Sequence, residues 1–227
     1  MTKEERSGPV SSTLRRPRFD RTFTPMDELS RTILDRAMDL ASERGWRRTG
    51  LADVARAVPV PLGELYRRFP TRASLLAGVA EVADAAVLAD DTPPDLSESA
   101  RDRIFDVMMR RFDALVPYRA GLAAVARDLP REPLTALAFS SAYARSMAWM
   151  LRAAGVDPDG TGGGALVAGL GAVHARVMRT FLKDDTADLA RTMAALDSGL
   201  RRAESWANAL RRPRAEKSAE PPETAAG

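Results

Sequence analysis

The side chains in this sequence best suited to chemistry are arginines, and several of them are grouped. Arg67 and Arg68 follow Tyr66 directly, Arg72 comes shortly after, and Leu62-Gly63 lie one helical turn before them. A guanidinium is a planar fork of donors that matches phosphate oxygens and the acceptor edge of guanine, so such a group suits nucleic acid. The chain has 34 Lys and Arg against 31 Asp and Glu, a net charge of +3, which permits a polyanionic partner without requiring one. An arginine-rich and alanine-rich bias can equally reflect coding composition. Residues for covalent or metal chemistry are scarce. There is no cysteine, which excludes a thiolate nucleophile, a disulfide scaffold and Cys-ligated zinc. His174 is the only histidine and has no second imidazole one turn away, so a hydrogen-bonded core or interface role is expected rather than a metal site or a pH sensor. The Gly160 to Gly164 cluster lacks the preceding strand and the Lys-Ser/Thr of a nucleotide loop. Asp90-Asp91 and Asp184-Asp185 fall where helices should end and read as caps. No nucleophile, base and orienting group can be assembled, so no enzyme, cofactor or metal is expected.

These arginines need elements to hold them. Residues 1–25 carry Pro9, Pro17 and Pro25 with Arg15, Arg16, Arg18 and Arg21, and read as a disordered basic arm. From Asp27 the apolar period becomes helical through Leu29, Ile33, Leu34, Ala37, Met38 and Ala41, and Gly45 is the expected stop. A second helix is predicted over 51–57, ended by Val58-Pro59-Val60-Pro61 because proline cannot continue the ladder. A third is predicted over 62–69. Thr71 caps a fourth, with Leu75, Leu76, Val79 and Val82 on one stripe to about Ala89. After the Asp90 to Pro94 break, helices are predicted over 97–115, 118–129, 132–154, 164–183 and 186–210. No segment alternates with period two, so the fold class is all-α. The expected domains are 26–90 and 95–212, followed by a disordered tail over 213–227. No apolar stretch suits a signal peptide or a membrane span, so the expected location is cytoplasmic.

Two short helices joined by a tight turn beneath a longer helix form the geometry that offers one helix to the DNA major groove. Here Val54, Ala55, Val58, Val60, Leu65 and Phe69 would face inward, leaving Leu62, Gly63, Tyr66, Arg67 and Arg68 outward. Ile33-Leu34, Ala37, Leu40, Gly45, residues 51–55 (LADVA), residues 60–69 (VPLGELYRRF) and residues 71–76 (TRASLL) resemble the DNA-binding domain of TetR-family regulators. The resemblance covers residues 27–80. It implies that Tyr66 and Arg72 contact phosphates, that Leu62, Gly63 and Arg67 approach the groove, and that Arg67 is the reader of base edges. Thr49, Gly50 and Arg68 complete the expected DNA-binding set. The chain departs from the family pattern at Pro59, where glycine is usual, so its turn must be built differently. Gly50 and Pro61 stand where hydroxyl residues are common, and Leu62 stands where a basic residue is common. Glu64 would repel phosphate unless Arg67 and Arg68 neutralise it.

The same resemblance implies a larger helical domain that binds a small hydrophobic effector and forms a homodimer on an operator in double-stranded DNA. Two reading heads must be held about one helical turn of DNA apart, on the order of 35 Å. The last two helices are the expected interface, through Ala165, Gly169, Ala172 and Ala175 with Leu166, Val173 and Val177 on one and Met193, Leu196, Leu200, Ala203 and Trp206 or Ala207 on the other. Packing within one chain is the alternative. Met108, Phe112, Phe139, Tyr143, Met147 and Met150, with Met109 and Trp149, are the expected lining of a ligand pocket, or else plain core. The expected function is a ligand-responsive DNA-binding regulator, a repressor. The alternative is a lipid- or isoprenoid-binding accessory protein of ubiquinone biosynthesis with the same fold, which residues 176–200 resemble faintly.

Overall fold

The computed structural model describes residues 26–90 and 92–211, with side chains as far as residue 205. The expected basic arm, the tail, Asp91 and the side chains of Trp206 and Ala207 lie outside the described residues. Those residues form nine α-helices and no strand. They are α1 (Glu28–Arg44), α2 (Leu51–Ala57), α3 (Leu62–Arg68), α4 (Arg72–Leu88), α5 (Ala100–Leu115), α6 (Arg119–Asp128), α7 (Pro133–Ala153), α8 (Gly163–Phe181) and α9 (Ala190–Arg211). A 3₁₀ turn, Trp46–Arg48, joins α1 to the approach of α2.

The boundaries have local causes. Asp27 accepts from the Ser30 N–H at 2.7 Å, which satisfies one of the free donors at the start of α1. Gly45, at φ 90°, takes the chain out of that helix. The turn between α2 and α3 contains no residue in the left-handed region: Val58 is extended at φ −104° and Pro61 lies at φ −58°. The turn thus needs no glycine and accommodates proline. Two helices start later than the periodicity predicts. α5 begins at Ala100 because the Ser99 hydroxyl accepts from the Asp102 N–H at 3.1 Å, making Ser99 rather than an earlier residue the cap. α9 begins at Ala190 because the preceding corner is organised by Asp184, whose carboxylate accepts from Thr186 Oγ1 at 2.6 Å and from the N–H and Oγ1 of Thr192, each at 2.7 Å. Burial opposes ionisation there, yet these hydrogen bonds hold the Asp184 carboxyl well below the usual carboxylate range.

The central helix is α4, apolar on nearly every side, with Leu75, Leu76, Val79, Val82, Ala83 and Val87 buried. A helix buried all round must be packed by several neighbours. Its first turns pack under α1 and α3, where a Cβ on Gly78 would fall 2.8 Å from the Phe69 ring and 3.0 Å from Leu34. Its later turns pack against α5 and α7. α1 also crosses α6 closely, since a Cβ on Gly121 would come within 2.6 Å of the Met38 carbonyl oxygen. One apolar core therefore runs without a gap from Ile33 in α1 to Leu200 in α9. Full burial of a leucine, isoleucine or phenylalanine such as Leu34, Ile33 or Phe112 stabilises by about 1.5–3 kcal/mol.

Candidate nucleic-acid interface

The inward set of the helix-turn-helix is buried as its spacing requires. Val54, Ala55, Val58, Leu65 and Phe69 all belong to the core, and Val60 packs against it. With Leu65 anchored beneath, the opposite face of α3 is left to solvent. Tyr66 is 65% exposed and Leu62 57%, high values for large apolar side chains. A Cβ on Gly63 would meet nothing within 4 Å. The open side of α3 is therefore a ridge of Leu62, Gly63, Tyr66 and Arg67 over which no other described element folds.

The charges on α3 are divided between that face and the interior. Glu64 pairs with both Arg67 and Arg68, the latter through Nε at 2.9 Å. Its negative charge is thus neutralised within the helix, as the i,i+3 and i,i+4 spacing predicts. Arg67 keeps a largely exposed side chain. Arg68 turns the other way, pairing with Asp27 and donating to Ser30 Oγ at 3.0 Å, and so fastens α3 to the start of α1. In the protein without DNA it is a strap between these two elements.

Arg72 opens α4, directly after the Thr71 cap, whose hydroxyl accepts from the Ser74 N–H at 3.1 Å. The free N–H groups and the dipole at a helix start favour an anion there. The Arg72 guanidinium lies over the Trp46 ring at 5.0 Å, donates to the Arg47 carbonyl oxygen at 3.4 Å, and forms an ion pair with Glu132 at the start of α7. Asp128, at the end of α6, accepts from the Arg47 N–H at 3.0 Å. The second half of the chain thus holds this corner through two carboxylates. Thr49 is fully buried, and its hydroxyl donates to the Gly45 carbonyl oxygen at 3.0 Å. The 3₁₀ turn thus directs the Thr49 side chain inward. Gly50 is the half-buried cap of α2.

Residues 33–79 match the family described as bacterial regulatory proteins, tetR family. The chain carries a TetR-family domain. Its overall fold is that of solved TetR transcriptional regulators. One, from Nitrosomonas europaea ATCC 19718, superposes with a TM-score of 0.59 at 22% identity, over 79% of this chain and 99% of that one. Another, from Rhodococcus sp. RHA1, gives 0.56 at 18% identity, over 77% and 94% of the two chains. No curated protein matches the sequence. Among the described residues no helix is long and apolar enough to cross a membrane.

Beyond the TetR-family domain, Met108, Phe112, Met147 and Met150 are fully buried, while Phe139 and Tyr143 are half-buried. The first four belong to the core of the protein without ligand. Of the expected lining, Met109 borders a surface concavity of about 490 Å³ between the 90–95 segment and α5, and a second of the same volume lies at the ends of α1 and α6. Polar groups that periodicity did not reveal lie among these side chains. Asp84 of α4 pairs with the buried Arg111 of α5 and accepts from Ser146 Oγ of α7 at 2.8 Å. Tyr143 Oη lies 2.8 Å from both the Gly171 carbonyl oxygen and His174 Nδ1. The His174 ring stacks on Phe112 with centroids 5.2 Å apart. Burial first, and the positive Arg111 second, push the His174 pKa down to about 3. Burial also raises the Tyr143 pKa to about 12, so its hydroxyl keeps its proton at neutral pH.

Proposed function

We propose that this protein is a homodimeric repressor that binds operator DNA through α3 and releases it when a small hydrophobic effector binds its second half. The exposed ridge of Leu62, Gly63, Tyr66 and Arg67, beside Arg72 at the start of α4, carries the reading. An apolar and aromatic face left open over a neutralised Glu64 suits insertion into a groove and not a solvated surface. In this account residues 26–90 are the reading head and residues 95–212 the effector and dimerisation domain, acting in the cytoplasm. Tyr66 and Arg72 set position on the phosphates, and Arg67 reads bases.

Dimerisation is supported by α8, whose two faces differ. Val173 and Val177 are buried against α9, where a Cβ on Gly199 would lie 3.0 Å from Val173. Ala165, Ala172 and Ala175 on another face are exposed, a surface of small residues that lets a second helix approach closely. Effector response is supported by Arg111 Nε and His174 Nε2, which are buried without a partner among the described residues. An apolar molecule bearing one hydroxyl, inserted beside Phe112, would satisfy them, its oxygen accepting from Arg111 Nε–H and its proton donated to His174 Nε2, while separating α5 from α8. Because α4 joins this region to the reading head, such a ligand would favour a different placement of the heads by its differential affinity for the two states.

The experiment is selection of bound sequences from a random duplex pool. The account predicts a two-fold symmetric motif for the wild type, a degenerate version of it for Arg67→Ala, and the same motif at lower recovery for Arg72→Ala. Recovery of no motif by the wild type contradicts it and turns attention to lipid extraction.

A further inference from the structure

Arg44, Arg47, Arg48 and Arg127 line a concavity of about 490 Å³ between the end of α1, the 3₁₀ turn and the end of α6. Four arginines and one acidic residue, Asp128, line it, and the Asp128 carboxylate already accepts the Arg47 N–H at 3.0 Å. Arg44 lies 3.7 Å from Asp53, while Arg47, Arg48 and Arg127 have no ion-pair partner among the described residues. Like charges gathered without partners repel one another, and an anion removes that repulsion. Arginines lining an open concavity suit a phosphate, whose oxygens match the planar fork of donors.

We propose that this concavity is a second phosphodiester site, which grips the DNA backbone outside the stretch read by α3. The inference rests on the reading of α3 as a DNA-contacting helix. Continuity along the surface supports it. Arg48 is two residues from the cap of α2, and the Arg47 carbonyl oxygen receives Arg72 Nη1 at 3.4 Å. The arginines of the concavity thus extend the row that begins with the proposed phosphate contact Arg72. Arg127 belongs to α6, so the DNA footprint includes a side chain from beyond the helix-turn-helix. A free phosphorylated metabolite shares this chemistry and is the competing occupant.

The test is Arg127→Gln in the full-length protein, with Arg127→Lys and Arg48→Gln beside it. Binding is measured by anisotropy across a salt series on a duplex from the gene's own upstream region and on an unrelated duplex. A thermal-shift titration with inorganic pyrophosphate runs in parallel. Arg127 is exposed, so circular dichroism should be unchanged in each variant. The proposal predicts that Arg127→Gln and Arg48→Gln each weaken binding to both duplexes by the same several-fold factor and flatten the slope of log K against log salt by about one, with Arg127→Lys near wild type. Unchanged slope and affinity in both glutamine variants overturn it. A pyrophosphate-induced shift that Arg127→Gln abolishes, with the DNA slope unaltered, also overturns it in favour of a free phosphorylated ligand. Should the wild type bind both duplexes alike while Arg127→Gln still flattens the slope, this site stands and sequence reading by α3 falls. If the wild type binds neither duplex, both fall.

Discussion

Replacing Glu132 with glutamine should tighten DNA binding, although Glu132 lies outside the helix-turn-helix. In the structure the Arg72 guanidinium, the proposed phosphate contact, is paired with the Glu132 carboxylate, and the two side chains are only 23% and 15% exposed. Glu132 Oε2 also accepts from Thr135 Oγ1 at 3.1 Å, so the carboxylate is fixed rather than free to swing away. To meet a phosphate, Arg72 must give up or share this pair, and the nearby negative charge repels the DNA. An exposed ion pair contributes at most about 1 kcal/mol, and a hydrogen bond to a charged group about 1.5–3 kcal/mol. For a pair at this partial burial, about 1–2 kcal/mol is a fair value for what Arg72 recovers. Glu132→Gln keeps the shape and one acceptor but removes the charge, so affinity should rise by roughly 5- to 30-fold at low salt, equally on specific and unrelated duplexes. Fluorescence anisotropy on the two duplexes reads this directly. Equal or weaker binding by Glu132→Gln, with the helical spectrum intact, would refute the reasoning, because Glu132 would then position Arg72 for phosphate instead of competing with it.

The remaining predictions concern the core. His174 is buried neutral with its pKa lowered from 6.5 to about 3, so the folded state binds a proton less readily than the unfolded one. The stability this confers is complete above about pH 6.5 and is lost as pH falls toward 3, on the order of 3–5 kcal/mol in all; urea denaturation at several pH values should show His174→Gln with a flatter acid limb, and identical limbs would contradict the assignment. Asp84→Asn leaves Arg111 buried without its counter-charge and should cost about 3–5 kcal/mol in the same assay; a loss below about 1 kcal/mol would mean that water reaches the guanidinium. Gly121→Val would drive a side chain into the Met38 backbone, 2.6 Å from where its Cβ would sit. It should force α6 away from α1 at a cost of about 1–3 kcal/mol or more, and an unchanged melting temperature would contradict the close crossing.

Much of this architecture could be read from particular residues. Asp27 and Gly45 mark the ends of α1, Thr71 marks the start of α4, and Pro59 and Pro61 set the break between α2 and α3, because each acts on backbone within a few positions of itself. The spacing of Val54, Leu65 and Phe69 was enough to separate the buried side of the reading head from Leu62 and Tyr66. Interactions between distant residues were not legible. Glu132 lies 60 residues from Arg72, and no local pattern joins them. Thr49 and Arg68 belong to the expected DNA-binding set, and no local pattern announces that the 3₁₀ turn buries one or that Asp27 and Ser30 engage the other. Met108, Phe112, Met147 and Met150 have the size and spacing of a cavity wall and of close-packed core alike, and only the packing of neighbouring helices distinguishes the two. The late start of α9 follows from Asp184 reaching Thr192, a bond across a corner that helical periodicity treats as continuous helix.

The central claim, that the open face of α3 reads DNA, is tested most directly by the purified protein's affinity for labelled duplex from its own upstream region, measured beside an unrelated duplex over roughly 50–200 mM salt. The account predicts tight, selective binding to the first duplex and a steep loss of affinity with salt. Weak binding that is equal on the two duplexes would contradict it, leaving Leu62, Gly63, Tyr66 and Arg67 as a reading face that this protein does not use on DNA.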